Sequence, residues 1–389
     1  MRRGFSGFGE TGKGAQASLG GMLRHIVRIL AVLALTVAAL VAGAVAVRAG
    51  LRLQTARAVA IEGPQGIDEA GFVRIGGQDQ WITIRGQDRR APVLLILHGG
   101  PGVPMSYLAR QFLPMERHYV VVQWDQRGGG KTLTRNGGAV DPRTDMATMV
   151  RDGIEVSEYL RRRLGRDRVV LVGHSFGSVL GARMARARPD LYAAYVGTGV
   201  VARTQAEWQR WLYAELAARM TAAGDAKGLA ELRGDVGPPP WPEDSPRLAH
   251  LAHAAQPYLP RGGLGHWGHV RAVLTAPHWS LADALAEPRG EVGMLHAALW
   301  RADVRDTYLP AADALAVPVV VIQGADDITS PTVFARRWLD RLRAPAKALV
   351  VIPGQGHEVL PDDMADFTRA LDWTLGPILA VTPAPASRR

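Results

Sequence analysis

A chain of 389 residues, 47% hydrophobic and 21% charged, has enough apolar content for a sizeable packed core and room for two or three domains, which excludes a disordered chain. There is no cysteine, so thiolate nucleophiles, disulfide frameworks, Cys-ligated zinc, iron-sulfur clusters and a lipidated N-terminal Cys are excluded as well. The formal charge of +10 is gathered partly at the ends, on Arg2, Arg3, Lys13, Arg24 and Arg28 against Glu10 and on Arg388-Arg389, and the cations are 42 Arg to 4 Lys. With no basic helix interleaved with aromatics, nucleic acid is not an expected partner.

In chain order, the first predicted element is a membrane segment. Ile29 to Val47 is a run of nineteen residues without a charge, bounded by Arg28 and Arg48, and at 1.5 Å per residue it spans about 28 Å, close to the hydrocarbon thickness of a bilayer. We read 29–47 as an uncleaved signal anchor. The positive-inside bias then keeps the basic N-terminus, residues 1–28, in the cytoplasm and places the rest on the extracytoplasmic side. The competing reading is a secretory signal peptide, because Ala42-Gly43-Ala44 and Ala44-Val45-Ala46 both fit a small-residue cleavage site; its apolar region would be unusually long. Cleavage would release a secreted or periplasmic protein.

Beyond Gly50, short β-branched runs alternate with amphipathic stretches, the pattern of a mostly parallel sheet covered by helices. Phe72 to Ile75 and Gln80 to Arg85 read as a leading hairpin. Val93 to Leu97 and Tyr119 to Trp124 read as buried strands closed by the glycine turns His98-Gly99-Gly100-Pro101-Gly102 and Asp125-Gln126-Arg127-Gly128. A helix is predicted over 145–164, then strands over Arg168 to Val172 and Ala193 to Val200, which makes 60–201 the first part of an α/β core. Residues 202–312 show helical segments, a Gly237-Pro238-Pro239-Pro240-Trp241 break and no convincing strand, and are predicted to form an inserted helical cap. The core resumes over 313–375 with strands at Val317 to Gln323 and Ala348 to Ile352 and a helix near Pro361 to Leu375.

Gly173-His174-Ser175-Phe176-Gly177 follows a strand and precedes a helical run, the context in which G-x-S-x-G forms a tight turn that projects its serine. A serine hydroxyl is a weak nucleophile and needs an imidazole base, whose tautomer a third group must hold. In this architecture the order is Ser, acid, His, and the histidine just beyond the last strand is His357. The acid belongs on the loop after the preceding strand, where Asp326 and Asp327 are neighbours; we choose Asp327 and keep Asp326 as the alternative, since adjacent side chains diverge. Backbone N–H groups of Gly100 and Phe176 are the expected oxyanion donors, glycine allowing the close approach. Two other motifs fail on spacing. Gly128-Gly129-Gly130-Lys131-Thr132 would need a glycine at Asp125 to be a phosphate loop, and His357-Glu358 would need a histidine at Pro361 to be a zinc-protease pair.

Together these motifs resemble the α/β-hydrolase superfamily and, through the pairing of His98 to Gly102 with Asp125 to Gly128, its proline iminopeptidase branch, over about residues 60–375. The resemblance implies a serine hydrolase that needs no cofactor or metal and acts on a small-molecule or short-peptide substrate, with a cap whose glutamates bind a free α-amino group. The chain departs from that pattern in two places: the elbow is Gly-His-Ser-Phe-Gly-Ser instead of Gly-Gly-Ser-Trp-Gly-Ser, and Trp208-Gln209-Arg210-Trp211-Leu212 keeps the tryptophan spacing of the cap with Leu212 in the place of its glutamate. Glu207, Glu215 and Glu231 are the candidate substitutes, and Trp208 and Trp211 the expected substrate-binding face. The expected activity is therefore on small ester, amide or N-terminal peptide bonds. The alternatives are a carboxylesterase without peptidase activity and a non-catalytic binding module.

Overall fold

The computed structural model describes residues 11–242, 245–258, 264–297, 299 and 314–381. It divides into two units, Met1–Gln54 and Thr55–Arg389. The first is carried by α1 (Thr11–Ala58), of which His25–Ala58 is apolar and long enough to cross a membrane. The helix runs past Arg48, where the uncharged stretch ends, because Arg, Leu, Gln and Ala are good helix formers and nothing stronger than the lone Gly50 interrupts them before Gly63-Pro64.

The second unit is built on one eight-stranded sheet in the order β1-β2-β4-β3-β5-β6-β7-β8. The hairpin of β1 (Ile67–Ile75) and β2 (Gln78–Gly86) is antiparallel, and β2 runs antiparallel to β4 (Val120–Asp125). The remaining strands are parallel: β3 (Val93–Leu97), β5 (Val169–His174), β6 (Tyr192–Thr198), β7 (Val319–Gly324) and β8 (Lys347–Ile352). Strands β3 to β7 are buried along their whole length or nearly so, which is why they read as mostly apolar runs and not as alternations, with polar residues such as Gln123, His174 and Gln323 toward their C-terminal ends.

Helices cover both faces. After the short α2 (Leu113–Glu116) and α3 (Gly130–Arg135), α4 (Met146–Leu164) and α5 (Phe176–Ala187) pack Met149, Val156, Leu160, Val179 and Leu180 against one face. Asp145 caps α4 by accepting the Thr148 N–H, and Gly165 closes it in the left-handed conformation. The other face is covered by a second cluster that includes Val359, Leu360, Phe367, Leu371 and Leu375. A cap follows β6: α6 (Gln205–Ala222), α7 (Ala226–Glu231), α8 (Pro246–Ala255), α9 (Gly265–Thr275) and α10 (Leu281–Leu295), with no strand among its described residues. Residues 300–313 of the expected cap and core boundary lie outside the described set. The chain then returns through β7, α11 (Thr332–Arg341), β8, α12 (Val359–Asp362) and α13 (Met364–Val381).

Candidate active site

Ser175 occupies the turn between β5 and α5 with φ 52° and ψ −119°; among the described residues it is the one non-glycine with a positive φ. Such strain persists only where the surroundings over-determine it. A Cβ on Gly177 would lie 2.0 Å from the Leu97 carbonyl oxygen, and one on Gly173 2.3 Å from that of Gly177. Glycine at both positions is therefore a requirement of packing. The Ser175 N–H donates to the Thr198 oxygen at 2.9 Å, which ties the turn to the end of β6.

The ends of three strands converge on this serine. Ser175 Oγ lies 2.9 Å from His357 Nε2, and His357 Nδ1 lies 2.9 Å from Asp327 Oδ2. An ionised carboxylate can only accept, so Nδ1 carries the proton and Nε2 is left to accept from the hydroxyl. Asp327 is 2% exposed, and its Oδ1 accepts the N–H groups of Thr329 at 2.9 Å and Ser330 at 2.7 Å. Asp326 is partly exposed and contributes its backbone N–H to the Gln355 oxygen. Burial opposes a charge on His357, but the Asp327 charge, its hydrogen bond and Glu358 outweigh that opposition and hold the imidazole pKa above its ordinary value.

The loop between β3 and α2 lies against this turn: a Cβ on Gly99 would be 3.0 Å from Ser175 Cβ. Phe176 is the first residue of α5, so its N–H has no acceptor within the helix. The two glycine turns are joined through His98, which is 1% exposed. Its Nε2 accepts the Gln126 N–H at 3.1 Å, its Nδ1–H faces the Gly99 oxygen at 3.0 Å, and burial pushes its pKa down to about 4. Arg127 is fixed in turn by two hydrogen bonds to Asp152. The paired motifs thus work as one brace, with His98 as its neutral crosspiece.

Two polar residues that sequence reasoning passed over complete the setting. His174, in the departing elbow position, is 3% exposed; its Nε2–H donates to the His357 carbonyl oxygen at 3.0 Å and lies 3.7 Å from Glu358, and burial lowers its pKa. Gln323 sits at the end of β7 with its amide against Asp327. The visible signal for both was a polar residue closing an otherwise apolar strand. His174, His357 and Glu358 could offer ligand atoms to a cation within 4.8 Å of one another, but both His357 nitrogens already have partners, and a metal would have to displace one.

The expected cap residues each have protein partners of their own. Leu212 is 2% exposed and lies in the cap's own apolar cluster with Leu216, Met220 and Trp241, where a carboxylate would be desolvated without a partner. Trp208 Nε1–H donates to the Ile328 oxygen at 2.8 Å and Trp211 packs edge-on against Phe334, so both tryptophans lie against the acid loop and α11. Glu207 completes the capping box of α6 and pairs with Arg337, Glu215 pairs with Arg219, and Glu231 with Lys227.

A cavity of about 620 Å³ opens between α9, α10 and α12. Leu264, Val270, Val273, Leu274, Leu281 and Leu285 are among its apolar walls; its polar lining among the described residues is His266, His269, Glu287, Glu358 and Asp362, with no lysine or arginine among them. Burial raises the pKa of both Glu287 and Asp362, with Glu291 and Glu358 respectively adding to the rise. Glu358 follows His357 in the chain, so the cavity reaches the neighbour of that imidazole. Neither Trp208 nor Trp211 lines it.

The geometry is that of an α/β hydrolase, and residues 92–363 match the family model described as the alpha/beta hydrolase fold, so the chain belongs to that family. It is a hydrolase of the proline iminopeptidase-like branch. It is 28% identical over 305 residues, 76% of this chain and 93% of the relative, to the protein named Probable aminopeptidase YbaC of Bacillus subtilis (strain 168). A 134-residue stretch, 34% of this chain and 39% of the relative, is 41% identical to a Streptomyces coelicolor protein named Probable proline iminopeptidase. Among solved structures, the proline iminopeptidase of Mycobacterium smegmatis shares the fold with a TM-score of 0.55 at 21% identity, over 80% of this chain and 99% of that one.

Proposed function

We propose that this hydrolase is a serine enzyme that cleaves small ester, amide or N-terminal peptide bonds through an acyl-enzyme. The observation that carries the reading is the unbroken hydrogen-bonded line from Ser175 through His357 to Asp327, set on a strained turn that only packing sustains. Ser175 Oγ attacks the substrate carbonyl carbon as its proton passes to His357 Nε2. Asp327 stabilises the imidazolium that results. The N–H groups of Gly100 and Phe176 receive the oxyanion, and collapse of the tetrahedral species expels the leaving group with the proton from His357. Water, deprotonated by the same imidazole, then releases the acid and restores Ser175. A fluorophosphonate probe should label the wild type and leave Ser175→Ala unmodified; labelling that survives the substitution would overturn the assignment.

The α9–α10 cavity is the proposed seat of the substrate's apolar part, in place of the Trp208 and Trp211 face. Its three carboxylates favour a second reading in which the substrate carries a free amine. A comparison of kcat/KM for p-nitrophenyl esters against aminoacyl naphthylamides, each with the N-terminus free and blocked, separates the two: equal or higher activity on esters supports the carboxylesterase reading, and a strong preference for free amines supports the aminopeptidase. We further propose that α1 anchors the chain in a membrane with the catalytic body on the extracytoplasmic side.

A further inference from the structure

Gln323 ends a strand of continuous apolar residues and is completely buried. Its amide uses both donors and its oxygen. Nε2 donates to Asp327 Oδ2 at 2.8 Å and to the Ser330 carbonyl at 2.6 Å, and Oε1 accepts the Val200 N–H at 3.2 Å. Asp327 Oδ2 is the same oxygen that faces His357 Nδ1. With the Thr329 and Ser330 N–H groups on Oδ1, the carboxylate has four donors, which fills its lone-pair sites. Three of the four come from residues 323–330, and Gln323 alone among them also reaches the segment after β6, two residues beyond the Thr198 carbonyl that holds the Ser175 N–H.

Resting on the proposed roles of Ser175, His357 and Asp327, we infer that Gln323 is a positioning residue: it acts through Asp327 to orient the imidazole and locks the acid loop to the segment that carries the nucleophile's turn. Without its amide, Oδ2 is held by His357 alone and the carboxylate rotates about the two bonds on Oδ1. The N–H dipole that Gln323 points at the carboxylate also offsets part of its negative field. Removing that dipole strengthens the pull of Asp327 on the imidazolium. The other groups bearing on His357 are Glu358, His174 and Arg203, none of which the substitution touches.

The test uses the full chain and two variants. Gln323→Met removes the donors at nearly constant volume; Gln323→Asn keeps an amide one methylene too short to reach Asp327. Both are expected to lose roughly 10- to 100-fold in kcat on a p-nitrophenyl ester with KM within about threefold of wild type, the scale expected when a group near the chemistry is misplaced. Both should also move the acid limb of the kcat/KM profile to higher pH, a shift that a purely structural role would not produce. A folded variant with wild-type kcat and an unmoved limb overturns the inference. So does failure of both variants to fold by near-ultraviolet circular dichroism, which would place the role of Gln323 in the strand end. Ser175→Ala in the same assay keeps the two levels apart: activity that survives it sinks the serine-hydrolase reading itself, whereas unchanged Gln323 variants beside an inactive Ser175→Ala sink this inference alone.

Discussion

Replacing Asp327 by Asn tests the core of the site with a change of one atom. Because the Thr329 and Ser330 N–H groups hold Oδ1, the asparagine must keep its oxygen there and place its NH₂ where Oδ2 was. That group then faces two donors, His357 Nδ1–H and Gln323 Nε2. The conflict at the imidazole is relieved when Nδ1 loses its proton and Nε2 gains it, and a protonated Nε2 cannot accept from Ser175. The charge is lost as well. At the observed separation of 2.9 Å, an effective dielectric of about 20 gives about 6 kcal/mol between imidazolium and carboxylate, which corresponds to about 10⁴ in rate.

Asp327→Asn is therefore expected to lower kcat by about 10³ to 10⁴ while KM changes little, measured on the best p-nitrophenyl ester. Its residual activity should also show an acid limb at lower pH. The sign follows from the base being active only when neutral: Asp327 holds the His357 pKa above its ordinary value in the wild type, so losing that charge lets the imidazole shed its proton at lower pH. Asp326→Asn is the internal control and should retain activity within about twofold, since its side chain is partly exposed and only its backbone N–H is engaged. A large loss in Asp326→Asn with a near-normal Asp327→Asn would refute the assignment of the acid and with it the reading of the hydrogen-bonded line.

Three further outcomes are expected. His174→Gln, whose amide nitrogen falls where Nε2 stood, should keep the bond to the His357 carbonyl and near-normal fluorophosphonate labelling, while His174→Leu should slow labelling about tenfold; equal rates in the two would remove any role for that bond. His98 should remain the neutral Nδ1–H tautomer by ¹⁵N NMR down to about pH 5, because its folded pKa is about 4; the unfolded chain protonates this imidazole near the ordinary value of about 6.5, so its contribution to stability is present above that pH and is lost as pH falls toward about 4. Residues 55–389, which form one unit, should be soluble and active when produced alone while the full chain partitions into detergent; a soluble full chain with a new N-terminus near residue 45 or 47 would establish cleavage instead of anchoring.

How far these features were legible depends on how local their causes are. A strand buried on both faces is apolar over most of its length, so β3, β4, β5 and β7 stand out as runs, and the strained turn at Ser175 demands glycine on both flanks, so the position of the proposed nucleophile announces itself. Asp327 and Asp326 are equivalent as local sequence; what separates them is that only one turns inward to two backbone N–H groups and an amide four residues upstream, a geometry visible once β7 and its loop are in place. The cap is where local signals stay ambiguous. The Trp208–Trp211 spacing is one of helical face, and it is satisfied as well by packing on Ile328 and Phe334 as by facing a ligand.

The same logic accounts for Leu212. Once α6 turns that position into the cap's own apolar cluster, a glutamate there would be stranded without solvent or a cation, so the carboxylates that reach a cavity must come from other elements. They do: Glu287 on α10, Glu358 beside the proposed base and Asp362 at the end of α12 line one apolar-walled space, although each reads in sequence as an ordinary helix or loop charge. Polar residues that close apolar strands, His174 after Val169–Gly173 and Gln323 after Val319–Ile322, were the stronger clue, because a buried strand end tolerates a polar side chain only where its hydrogen bonds are met. In this chain the Nε2–H of His174 meets the carbonyl of His357 and the Gln323 amide meets the carboxylate of Asp327, while His174 Nδ1 finds no partner among the described residues; the two bonds made orient the proposed base from both sides.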